Sequence, residues 1–308
     1  MKTLEAVEKN EISRKKPMAN LSSRVKIKNQ RFDEERALYN LSQSDVIDCI
    51  FAGPADGESA LKEVRDVNVV NCEFSLRYPL WHAAKFSLID SVMDSQSRAP
   101  IWYSEDGNIK GCQIDGPKLL RECRNIRIED SVLLSAEFGW RCHDLDIVTT
   151  RIESEYLLFG SSQIKIDQLH MQGKYSFQYV EQMHIKDSVL ETKDAFWHSK
   201  NVTIENSVVK GEYLGWFSEN LTLINCRIIG TQPLCYCENL MLINCTMEDT
   251  DLAFEYSDVD ADINGHIVSI KNPKSGIISA DSVREIIRDN SVMELKAEIK
   301  IKKQTSVI

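Results

Sequence analysis

The sequence predicts an all-β protein: one right-handed parallel β-helix of about twelve rungs, each 19 residues long and built from three short strands. Three observations predict it. The first is a repeat. NIRIEDSVLL (125–134), DLDIVTTRIE (144–153), QIKIDQLHMQ (163–172), QMHIKDSVLE (182–191), NVTIENSVVK (201–210), NLTLINCRII (220–229) and NLMLINCTME (239–248) start 19 residues apart each time. The second is a period of two inside each unit. Ile126 and Ile128, Val202 and Ile204, and Leu221 and Leu223 put two β-formers on one face of a strand. The third is the length of the unit. It is shorter than a helix-pair repeat of about 33 residues and lacks leucine-rich spacing. The six-residue sides typical of a left-handed β-helix are also missing, which favours the right-handed form.

The elements follow in order. Residues 1–25 are polar and unpatterned and read as a loose arm. FDEERALYN (32–40) reads as a cap or a first irregular rung. The rungs start near Asp45. DVIDCIF (45–51), VNVVNCEF (67–74), FSLIDSVM (86–93) and GNIKGCQI (107–114) join the repeat with small insertions, one of them in GPADGES (53–59). The first strand ends on an Asp/Asn column: Asp48, Asn71, Asp90, Asp130, Asp187, Asn206, Asn225 and Asn244. These residue types tolerate left-handed backbone. A small column follows, including Cys49, Cys72, Ser91, Cys112, Ser131, Thr150, Ser188, Ser207, Cys226 and Cys245. Then comes a second apolar column: Leu133, Ile152, Met171, Leu190, Val209, Ile228 and Met247. The rungs end near Asn264. Residues 267–290 read as a strand, a Pro/Gly turn and a closing amphipathic segment, and 291–308 as a tail. The domain proper is thus 26–290. A length of 308 residues would suggest two domains, but a solenoid lengthens by adding rungs.

Composition narrows the function classes. With 47 acidic and 37 basic residues the net charge is −10, and no basic face for nucleic acid stands out. No apolar run is long enough for a membrane helix. The N-terminus shows no secretory h-region, so the expected compartment is cytoplasmic. The nine Cys lack CxxC pairs and are expected as reduced, buried thiols, including Cys226 and Cys245 on adjacent rungs. No nucleotide, hydrolase or zinc-protease motif occurs, and neither a cofactor nor a metal is expected. Asp56 and Glu58 in the acidic loop are weak candidates for calcium.

The third strand of each rung carries the unusual chemistry. Strict alternation turns Trp140, Phe159, Gln178, Trp197, Trp216, Cys235 and Phe254 inward. It turns out Glu137/Gly139/Arg141, Tyr156/Leu158/Gly160, Tyr175/Phe177/Tyr179, Asp194/Phe196/His198, Tyr213/Gly215/Phe217 and Gln232/Leu234/Tyr236. The opposite parity would still leave one aromatic column facing out. A contiguous exposed aromatic surface marks a binding site. The ligand-binding candidates are Tyr103, Trp140, Tyr156, Tyr175, Phe177, Tyr179, Trp197, Tyr213, Trp216, Tyr236 and Glu255. The candidates for acid, base or charge chemistry are His82, Glu122, Glu137, Arg141, Asp194 and His198. Glu122 beside Arg141 could equally be a plain salt bridge. Asp194 and His198 lie roughly 13 Å apart along an extended strand, too far for a dyad. No two carboxylates occupy adjacent rungs of one outward column, so a retaining glycosidase pair is not evident. An acidic, aromatic face suits a neutral or amino sugar better than a polyanion.

Several stretches, GPADGESALKE (53–63), LRYPLWH (76–82), ESEYLLF (153–159), GKYSFQYVE (173–181), KDAFWHSKNVTI (193–204), GEYLGW (211–216), GTQPLCY (230–236) and DTDLAFEYSD (249–258), resemble domain-of-unknown-function family 3737. The resemblance covers roughly residues 26–290. It implies a right-handed, pectate-lyase-like β-helix and no particular reaction. Three functions compete: a carbohydrate-active lyase or hydrolase, a non-catalytic binder of an oligosaccharide or other small molecule, and a scaffold that docks a partner on the same face. The sequence leaves oligomeric state open.

Overall fold

The computed structural model describes residues 24–53 and 58–302. The arm expected over 1–25 therefore lies outside the described residues except at its last two positions, and so does Asp56 of the calcium idea. The chain winds into a parallel β-helix of about 14 turns, with no helix among the described residues. On the first side, strand Arg124–Glu129 pairs with Glu105–Lys110 on one edge and His143–Val148 on the other. The 19-residue offset expected from the repeat appears directly in the pairing, as in Ile126↔Leu145 and Ile128↔Ile147. On the second side Val132–Leu134 pairs with Gln113–Asp115 and Arg151–Ser154.

The extra turns lie at the two ends, at a 19-residue offset at the first and a longer one at the second. Val25–Lys28 opens the stack against Ser42–Ile47. At the other end Ile277–Ala280 pairs with Glu298–Ile301. Residues 298–301, read above as tail, thus form the last described strand. Their alternation lets Ile299 pack against the core.

Two polar columns turn the chain at the corner between the first and second sides. Every Asp/Asn named above has a φ near +50°: Asp48, Asn71, Asp90, Asp130, Asp187, Asn206, Asn225 and Asn244. Asn side chains then bond from rung to rung, Asn225 Nδ2 donating to Asn206 Oδ1 at 3.0 Å and Asn244 Nδ2 to Asn225 Oδ1 at 2.7 Å. The small column behind them is buried. Ser188 Oγ accepts from Leu169 N at 3.0 Å and Ser207 Oγ from Ser188 N at 3.0 Å, so hydroxyls satisfy backbone groups at each bend. A second small column, Ser104, Cys123, Cys142, Ser161, Ser199, Ser218, Cys237 and Ser257, lies buried at the corner after the third side, where Ser161 Oγ accepts from Cys142 N and Ser257 Oγ from Cys237 N. Together the two columns hold eight of the nine cysteines. All nine are free and buried.

The third side departs from a regular strand, and the expected parity fails there. Glu137–Phe138 and Tyr156–Leu157 form a short two-stranded ladder. Further along, alternate residues take left-handed φ: Tyr175, Phe177 and Tyr179, then Asp194, Phe196 and His198. Successive N–H groups point in opposite axial directions. Tyr179 N reaches Trp197 O on the following rung, while Phe177 N reaches Leu157 O on the preceding one. Period-two alternation holds only for extended backbone. Here the core takes two consecutive positions. One is Phe138, Leu157, Ala195 and Leu214. The next is Leu80, Ile101, Leu120, Leu158, Phe177, Phe196 and Leu234, all at most 2% exposed. Phe177, a ligand-binding candidate in the sequence, is a core residue stacked on Phe196 at 4.9 Å. Trp140, Trp197 and Trp216, expected inward, are instead half-buried at the surface.

Candidate functional site

Three outward columns cover the third side. The middle one runs Trp81, Trp102, Arg121, Trp140, Phe159, Gln178, Trp197, Trp216. Its repeated geometry has a backbone cause. Each indole Nε1–H donates to a carbonyl 16 or 18 residues on: Trp81 to Ala99 O at 2.7 Å, Trp102 to Lys118 O at 2.7 Å, Trp140 to Tyr156 O at 3.1 Å, Trp197 to Tyr213 O at 2.7 Å and Trp216 to Gln232 O at 2.8 Å. Gln178 Nε2 replaces the indole on its rung, donating to Asp194 O at 2.8 Å. Trp is used because it joins a large apolar body to one donor. Trp81 stacks on Trp102 at 5.2 Å and Trp197 on Trp216 at 5.4 Å.

Arg121 was missed as a functional residue. It fills the gap between two indoles, with its guanidinium 4.4 Å from the Trp102 ring centre and 4.9 Å from that of Trp140. It also binds Glu137 at 2.6 Å, and Lys118 approaches the same carboxylate at 3.3 Å. The signal was available: Arg121 stands 19 residues from both Trp102 and Trp140. Glu137 is thereby engaged by two cations.

The first flanking column contains Tyr156, Tyr175, Asp194 and Tyr213, all half-buried. Tyr156 stacks on Tyr175 at 4.9 Å, and Tyr213 meets Trp216 edge-on at 5.5 Å. Asp194 lies between Tyr175 and Tyr213 in this column, and burial there raises its carboxyl above the usual range. Lys193 pairs with Glu212 at 3.0 Å and lies over the Tyr213 ring.

The second flanking column is the exposed one: His82, Tyr103, Glu122, Arg141, Gly160, Tyr179, His198, Phe217, Tyr236. His82 stacks on Tyr103 at 5.1 Å. His198 is sandwiched between Tyr179 at 4.9 Å and Phe217 at 5.0 Å, and Phe217 stacks on Tyr236 at 4.9 Å. Glu255 was expected to end this column. A one-residue insertion moves Tyr256 into that place, 5.9 Å from Tyr236, and shifts Glu255 inward against Lys271 at 2.9 Å. Asp194 and His198 sit in different outward columns, so no dyad forms.

Rings stacked along the axis cover one another's faces, leaving edges to solvent. The exception is a break in the exposed column. Glu122, Arg141 and Gly160 interrupt the rings, so no ring of this column stacks on Tyr103 or Tyr179 from the gap; the Phe159 ring of the middle column meets Tyr179 edge-on at 5.3 Å. The two tyrosines are four rungs apart, roughly 19 Å at the spacing of neighbouring strands. Arg141 and Glu122 approach only to 4.0 Å, with side chains 71% and 45% exposed. A Cβ on Gly160 would meet nothing closer than Arg141 Cγ at 3.9 Å. Behind the gap lie Arg121, Trp140 and Phe159. Tyr103 is 38% and Tyr179 50% exposed. A concavity of about 490 Å³ lies elsewhere, at the corner between the second and third sides, and contains none of the candidate residues.

The fold has relatives among solved structures. A surface adhesin of Streptococcus pneumoniae, PfbA, matches at 7% identity with a TM-score of 0.52, covering 74% of this chain and 83% of that one. An endo-xylogalacturonan hydrolase from Aspergillus tubingensis matches at 11% identity with a TM-score of 0.39, covering 90% and 91%. At 7% identity the likeness to the adhesin is one of fold alone. No curated protein matches the sequence significantly. Residues 25–302 match the family model described as "Protein of unknown function (DUF3737)", in agreement with the resemblance read from the motifs, and the chain belongs to that family.

Proposed function

We propose that this protein binds a short oligosaccharide in the break of the exposed ring column, without cleaving it. The observation that carries the reading is the pair of exposed rings, Tyr103 and Tyr179, at the two ends of the break, across an exposed Glu122–Arg141 pair. Aromatic faces stack on the apolar faces of sugars. An ion pair this exposed contributes little to stability, so both groups can take ligand hydroxyls at small cost. The remaining candidates favour binding over chemistry. Glu137 is held by Arg121 and Lys118, and both faces of the His198 ring are taken up by stacking on Tyr179 and Phe217.

A panel of neutral, amino and acidic oligosaccharides, assayed for binding and for turnover, tests the proposal. Binding without turnover that weakens at least tenfold in Tyr179→Ala and Arg141→Ala supports it. Binding that ignores both substitutions, or absence of any saccharide ligand, refutes it. Turnover abolished by Glu122→Gln would replace binding with catalysis.

A further inference from the structure

We propose a second binding site, for a small ring-bearing organic anion, in a cavity near the N-terminal third of the rod. The cavity has a volume of about 330 Å³ and is lined by Tyr78, Trp81, Arg98, Ala99, Trp102, Pro117 and Lys118. It does not depend on the oligosaccharide reading and shares no residue with that break.

Its wall exists because this rung is longer than the 19-residue repeat. The repeat steps by 21 residues between FSLIDSVM (86–93) and GNIKGCQI (107–114), and the surplus forms the bend Asp94–Pro100. That bend is fixed: Ser97 N donates to Asp94 O at 2.8 Å, and Lys118 N to Arg98 O at 3.1 Å. Gly116 lets it pack closely, since a Cβ there would lie 2.9 Å from Ser97 O and from Pro100. The bend thus holds Arg98 opposite the indoles.

The electrostatics of the lining point one way. Trp81 and Trp102 stack on each other, and Arg121 covers the far face of Trp102. Indole edges therefore form much of the wall, and the edge of an aromatic ring is its positive part. Both indole N–H groups are committed to carbonyls, of Ala99 and Lys118. Arg98 and Lys118 add two cations, and no carboxylate lines the cavity. Lys118 is shared with Glu137 at 3.3 Å, outside the lining. Arg98 forms no ion pair among the described residues. In a chain of net charge −10 such a pocket is a local reversal of sign. A guanidinium fork recognises carboxylate, sulfate or phosphate. A single ring fits the volume and the apolar walls.

The test uses the full chain and three probe pairs: benzoate against benzyl alcohol, phenyl phosphate against phenol, and glucose 6-phosphate against glucose. Tryptophan fluorescence and calorimetry read binding. The expected result is that at least one anion binds and its neutral analogue binds at least tenfold more weakly. Arg98→Ala should then weaken the anion by about tenfold or more, the loss typical of removing one charged hydrogen-bond partner. Arg98→Lys should recover part of that loss, and the thermal midpoint should be unchanged in both variants. Neutral and anionic probes binding alike, no probe binding at millimolar concentration, or an Arg98→Ala variant that binds as the parent does would each overturn the proposal. The two arms of ring and head group distinguish an aryl anion from a sugar phosphate.

Discussion

Replacing Gly160 with Tyr should close the break in the exposed column, leave the fold intact and abolish ligand binding there. Gly160 has φ +63°. Its column neighbours Tyr179, His198 and Phe217 hold large side chains at φ 56°, 54° and 59°, so the backbone of this column accepts them. The costs are about 1 kcal/mol for left-handed φ in a non-glycine residue and about 1 kcal/mol for ordering the side chain. The gains are roughly 0.5–1 kcal/mol from a less flexible unfolded chain and about 0.5–1.5 kcal/mol from stacking on Tyr179. These terms cancel to within about 1 kcal/mol. The new Cβ meets only Arg141 Cγ, at 3.9 Å, and the ring beyond it shares the space with Phe159, 5.3 Å from Tyr179.

Binding should respond very differently. The new ring would occupy the Tyr179 face that the ligand needs, with an expected loss of at least tenfold in affinity, about 1.4 kcal/mol. Gly160→Ala is the control and should keep binding within about threefold. Chemical denaturation gives the stability, and calorimetry with the saccharide found in the panel gives the affinity. A folded Gly160→Tyr protein that binds like the parent would remove the break from the site. A Gly160→Tyr protein destabilised by more than about 3 kcal/mol would show that the column is less regular than its dihedrals indicate.

Three further outcomes are expected. Phe196→Ala should cost about 3–5 kcal/mol, because Phe196 is buried on Phe177. Phe217→Ala, 43% exposed, should cost well under half of that, and equal costs in urea denaturation would restore strict alternation. Burial pushes the thiols of Cys72, Cys112 and Cys237 up to about 11 and that of Cys235 up to about 12. A thiol reagent at pH 8 should therefore leave these four cysteines unmodified until the chain unfolds. Because these values are raised above those of the unfolded chain, stability should be full below about pH 9 and fall as pH rises toward 11; a flat profile there would contradict the burial. Burial also raises the Asp194 carboxyl, so its protonated form is favoured on folding. Asp194→Asn should raise the thermal midpoint slightly at pH 7, and the gain should vanish once acid protonates the parent; a loss at pH 7 would mean the charge is needed.

The rung was legible in the sequence because stacking repeats each requirement at one address. A left-handed corner recurs every 19 residues, so Asp and Asn recur there, and the φ of Asp130 or Asn206 follows from the letter. The small column was legible for a similar reason: only a short hydroxyl or thiol fits a buried bend and still bonds its backbone. The third side resisted because the parity rule borrowed from strands does not apply where alternate residues are left-handed. Phe177 and Phe196 then pack beside Leu157 and Ala195, and the Trp column turns to the surface. Nothing in the identity of a Phe or Trp says which backbone carries it. Register survives that failure, since 19-residue spacing holds whatever the dihedrals. It places Arg121 between Trp102 and Trp140, and Gly160 among Arg141, Tyr179 and His198, with no knowledge of parity. In a solenoid the informative residue is thus the one that breaks its column. A guanidinium among indoles and a glycine among rings each mark a rung where ring-on-ring stacking stops, and at Gly160 that leaves the gap between Arg141 and Tyr179.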